Sequence, residues 1–125
     1  MKCIYDINPE GQTINVELIG RLKTKELADL SLKIMLKAKE LKYKIIFDCR
    51  MLKIKITIVE AYYWYAKYYD HIDIGLRSIS IAYIVNKENL DFYSFFECTC
   101  MNNGIQIKVF QKKTDIFNWI ESIKR

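Results

Sequence analysis

Few side chains in this 125-residue sequence could do chemistry, and they fall in three places. Asp48-Cys49-Arg50 closes an apolar run, Ile45-Ile46-Phe47. That puts it at the expected carboxyl end of a strand, where open α/β sheets bind their ligands. Asp48 and Cys49 are therefore the candidates for a ligand contact. Downstream, Lys53, Lys55 and Thr57 lead into Ala61-Tyr62-Tyr63-Trp64-Tyr65-Ala66-Lys67-Tyr68-Tyr69, with five Tyr and one Trp in nine residues. The single His follows in Tyr69-Asp70-His71-Ile72-Asp73, a loop pattern whose carboxylates favour its charged form.

These residues do not add up to a catalytic constellation. Acid–base work would rest on His71 or on a carboxylate such as Asp48. The sequence has no G-x-x-x-x-G-K-[ST], G-x-G-x-x-G or G-x-S-x-G, and its four glycines are too scattered to cradle a phosphate. Cys3, Cys49, Cys98 and Cys100 include a C-x-C but no C-x-x-C, so reduced structural thiols are expected rather than a metal or redox centre. No enzyme activity, metal or cofactor is expected.

The elements that would position these residues follow from hydrophobic periodicity. Cys3–Ile7 and Thr13–Ile19 alternate apolar and polar, which predicts two strands. Asn8-Pro9-Glu10-Gly11 between them suits a tight turn, so the strands should pair as an antiparallel hairpin. Gly20 should end the second strand. A helix capped by Thr24 should follow, with Leu27, Leu30, Ile34, Ala38 and Leu41 as its apolar stripe. Ile45–Phe47 predicts a central strand, residues 51–56 a connection, and Thr57 the start of an aromatic helix. Ser78–Asn86 predicts the next strand. Asn86 should cap a third helix carrying Leu90, Tyr93, Phe96 or Glu97, Cys100 and Met101, which stops at Asn102-Asn103-Gly104. Ile105–Phe110 predicts the last strand, and Thr114 should cap a final helix with Ile116, Trp119, Ile120 and Ile123 inward. The order β-β-α-β-α-β-α-β-α implies an α/β domain with a mostly parallel sheet and an antiparallel edge.

Length and composition agree with one domain over residues 1–125: apolar residues make up 51% and charged residues 28%. No uncharged apolar stretch approaches the roughly 18 residues of a membrane helix. Met1-Lys2-Cys3-Ile4-Tyr5-Asp6 reaches a carboxylate before any hydrophobic run, so no signal peptide is expected and a cytoplasmic location is. The net charge of +5 is unevenly placed: residues 33–55 hold eight basic side chains against two acidic ones. Much of that stretch is the expected wet face of the first helix. Lys outnumbers Arg and no base-stacking pattern is present, so nucleic acid is not an expected partner.

A hairpin, an amphipathic helix, a strand closing on Phe47-Asp48, a helix after a short loop, Ser80–Val85 as a strand, a helix to Asn103-Gly104 and then Ile107–Phe110 together resemble the STAS-like family. That family comprises bacterial anti-sigma-factor antagonists, sulfate-transporter cytoplasmic domains and STAS/SEC14-like small proteins. The closing helix with Trp119-Ile120 adds to the likeness, which spans nearly the whole chain in element order and apolar pattern. It implies a bacterial regulatory domain that acts by protein–protein interaction. In the antagonists a kinase phosphorylates a Ser of an Asp-Ser pair at the start of the second helix. The matching stretch here is Ile54-Lys55-Ile56-Thr57, where the pair is lost and Thr57 is the only hydroxyl.

The helix from Thr57 cannot turn all its rings inward at about 3.6 residues per turn. Exposed Tyr and Trp favour interfaces. The expected partner surface is therefore Lys53, Lys55, Thr57, Glu60, Tyr63 and Trp64, binding another protein or a second copy. Thr57 is either a helix cap or a phosphorylation site. The alternative function is a small-molecule or lipid-binding module at Asp48 and Cys49.

Overall fold

The computed structural model describes residues 1–55, 57, 59–60, 78–102 and 106–123. Strand β1 (Lys2–Asn8) turns into β2 (Thr13–Arg21), helix α1 (Thr24–Leu41) leads to β3 (Lys44–Lys53), and β4 (Ile81–Ile84) follows. A 3-10 turn (Lys87–Asn89) opens into α2 (Leu90–Asn102), before β5 (Ile107–Phe110) and α3 (Lys113–Ile123). The five strands stand side by side in chain order, antiparallel between β1 and β2 and parallel thereafter. The expected α/β architecture is therefore present. The aromatic helix expected from Thr57 lies almost wholly outside the described residues; Val59 and Glu60 are helical.

Strand alternation sorts the side chains onto two faces. One face carries Ile14, Val16, Leu18, Ile45, Phe47, Cys49, Ile81, Tyr83 and Ile107, packed under Leu27, Ile34, Met35 and Ala38 of α1 and Tyr93 and Phe96 of α2. At its centre Phe47 stacks on Tyr83, with ring centroids 5.0 Å apart and planes within 13°. The other face is covered by α3 over β4, where Ile116 and Ile120 bury Ala82 and Ile84. Among the described residues, α1 and α2, which link β2 to β3 and β4 to β5, lie on the same face, as right-handed crossovers between strands in chain order require.

Several boundaries differ from the sequence reading. Gly20 does not end β2; the strand runs on to Arg21, and Gly20 sits inside it at φ 100, where an L side chain would be strained. Thr24 is the first residue of α1, not its cap, and the residue before the helix, Lys23, makes no side-chain cap bond. Likewise α3 begins at Lys113, so Thr114 lies inside it. The strand expected over Ser78–Asn86 narrows to Ile81–Ile84. Asn86 does cap as expected: its side chain accepts a hydrogen bond from the Asn89 amide at 2.8 Å. Residues 51–53 continue β3 instead of forming the expected connection, because β2 pairs with them as far as Arg21↔Lys53.

Candidate functional site

β3 outruns β4. Its pairing with β4 ends at Asp48↔Ile84, while β2 accompanies it to Lys53. The carbonyls beyond Asp48 therefore lack β4 amides, and two asparagine side chains replace them. Asn86 Nδ2 donates to the Arg50 carbonyl at 3.0 Å, and buried Asn89 Nδ2 donates to the Leu52 carbonyl at 2.7 Å. Asp48 is thus level with the carboxyl end of β4 rather than at the end of its own strand.

A register shift opposite Glu17–Ile19 gives β3 one extra residue next to Asp48. Such a bulge re-aims side chains, and here Arg50 turns back onto Asp48. The guanidinium donates to Oδ1 at 3.0 Å and to Oδ2 at 2.7 Å, and the Arg50 amide donates to Oδ1 at 3.2 Å. Partial burial pushes the Asp48 carboxyl up. The hydrogen bonds and charge of Arg50, with the charge of Lys113, outweigh that and hold it below the usual carboxylate value. A depressed folded value stabilises the fold at neutral pH, and this contribution is lost as the pH falls through the folded pKa. Asp48→Asn should therefore be less stable than wild type near neutrality, with the gap closing below about pH 4, where the unfolded carboxyl also protonates. Urea titrations across that range check it; a gap independent of pH would show that charge plays no part.

Asp48 lies along a groove of about 560 Å³ that crosses β1, β2 and β3 beside α3. Its polar lining includes Asp6, Asn15, Glu17 and Lys113. Cys49 faces the opposite way. It is fully buried in the core under α1 and α2, and burial pushes its thiol up to about 12, so it stays protonated. The structure does not bring Asp48 and Cys49 to one site, because neighbouring strand residues point to opposite faces. Among the described residues no group of His, Cys, Asp and Glu is placed to hold a metal ion.

The other set of candidates follows β3 directly. Lys53, Lys55, Thr57 and Glu60 are all exposed, and Thr57 Oγ1 accepts a hydrogen bond from the Glu60 amide at 3.1 Å, the bond of a helix cap. Tyr63, Trp64 and His71 lie outside the described residues. Two side chains that the sequence reading passes over join this stretch: Met51 is 67% exposed and Val59 65%. Arg50 is likewise missing from that reading as a partner for Asp48. The bulge and the length of β3 decide the placements of Arg50 and Met51, and neither shows in an apolar pattern.

The basic stretch 33–55 does not form one patch. α1 runs back from the carboxyl end of β2 to the amino end of β3, so Lys37 and Lys39 approach the end of the sheet opposite Lys53. Lys37 also pairs with Glu40 at 3.6 Å. No helix among the described residues is long and apolar enough to cross a membrane. Neither the family models nor the curated proteins searched contain a match to this chain.

Proposed function

We propose that the chain is a STAS-like regulatory domain that works by binding another protein and catalyses no reaction. Its contact surface is the end of β3 and the segment after it: Lys53, Lys55, Thr57 and Glu60, continued by Tyr63 and Trp64. The observation that carries this reading is the exposure of Met51 and Val59 on either side of the two lysines, the highest among the described large hydrophobics. Apolar side chains left in water beside fixed charges suit a partner that offers its own apolar and acidic groups. Phosphorylation of Thr57, at which the family resemblance points, would place negative charge beside Lys53 and Lys55 and switch the surface.

Photo-crosslinking residues at 51 and 59, with exposed Asn118 as the control position, test the proposal in the source cells. A shared protein adduct from the first two positions, absent from the third, is the expected result. Equal labelling from all three positions would remove the proposal. A second reading has its own observation: the 560 Å³ groove at Asp48 is large enough for a small ligand. Native mass spectrometry showing a small molecule lost on Asp48→Asn would favour it.

A further inference from the structure

The two edges of the sheet are treated differently. β5 is four residues long, and its Val109 amide is held at 2.6 Å by the Glu97 carboxylate of α2. β1, at the other edge, is seven residues long, pairs with β2 without a register break and contains no proline. Among the described residues no strand lies outside it. Ile4, Tyr5 and Ile7 are 48%, 55% and 38% exposed along it. A long, regular, apolar edge invites pairing with another strand.

We infer that β1 pairs antiparallel with β1 of a second copy about a twofold axis through Ile4. The side chains choose this register. A twofold axis perpendicular to the sheet matches like faces, so even-numbered residues meet even-numbered ones. Centring on Ile4 sets Lys2 opposite Asp6 of the second copy, twice by symmetry, Ile4 opposite Ile4, and Cys3 opposite Tyr5. Centring on Cys3 or Tyr5 instead sets a charge against Ile4. The pairing joins the two sheets into one of ten strands. It also covers the exposed rings of Tyr5 beside the groove of about 340 Å³ that Ile7, Leu30 and Leu36 form along α1.

Sedimentation equilibrium of the full chain over a range of micromolar concentrations tests this. Wild type should show reversible dimerisation, and Lys2→Glu or Asp6→Lys alone should weaken it by about tenfold or more at low salt, because each turns two attractive pairs into repulsive ones. Mixed together, the two variants should form a heterodimer. The introduced glutamate of one chain then faces the introduced lysine of the other, and the remaining Asp6 faces the remaining Lys2. Unchanged thermal melting would show that both variants are folded. A chain that stays monomeric throughout, a dimer indifferent to both reversals, or a mixture no tighter than either variant alone would each overturn the inference.

Discussion

Phe47→Ala should destabilise the protein by about 3–5 kcal/mol, among the largest effects of any single truncation in the chain. Phe47 is 1% exposed and paired with Val16 on β2 and Tyr83 on β4. Its ring partner Tyr83 packs in turn on Tyr93 and edge-on against Phe96, with centroids 5.2 and 6.0 Å away. Removing the ring leaves a hole between Val16 of β2 and Tyr83 of β4, and strands locked in register cannot move in to fill it. A urea titration should show an earlier midpoint with an unchanged slope. A loss below about 1 kcal/mol would mean that the core collapses around the gap.

The second large effect concerns a polar residue. Asn89→Ala should cost about 1–3 kcal/mol, because it strips the buried Leu52 carbonyl of its donor. Asn86→Ala removes bonds of another kind: the one to the Arg50 carbonyl is exposed, so water can replace it, and the one that caps the Asn89 amide is worth about 1 kcal/mol. Hydrogen exchange would localise the difference, with Asn89→Ala loosening the far end of β3 before the rest of the sheet. A cost below about 0.5 kcal/mol for Asn89→Ala would show that the buried bond is not what gives Asn89 its weight.

What could be read in advance follows from where periodicity acts. Ile14, Val16 and Leu18 alternate cleanly, and of the expected α1 stripe Leu27, Ile34 and Ala38 are buried while Leu30 and Leu41 are half-buried. Asn86 announces its turn because its side chain completes a local hydrogen bond. The far end of β3 is hidden for the opposite reason. Met51-Leu52-Lys53 follows a bulge, so its alternation is out of phase with Ile45-Ile46-Phe47. Its unpaired edge is satisfied by two asparagines some 36 and 37 residues away in sequence. That Asp48 and Cys49 point to opposite faces is different in kind: strict alternation along a strand already implies it.

The segment beyond β3 carries the functional proposal. The affinity of the crosslinked partner for the wild-type chain, set against Lys53→Glu/Lys55→Glu, tests it most directly. Both lysines are exposed, so the double variant should melt as wild type does. Its binding should weaken by about tenfold or more, less so as salt is raised, and neither protein should leave the complex chemically altered. An unchanged affinity, or a partner converted to product, would contradict the claim that this surface binds without catalysis.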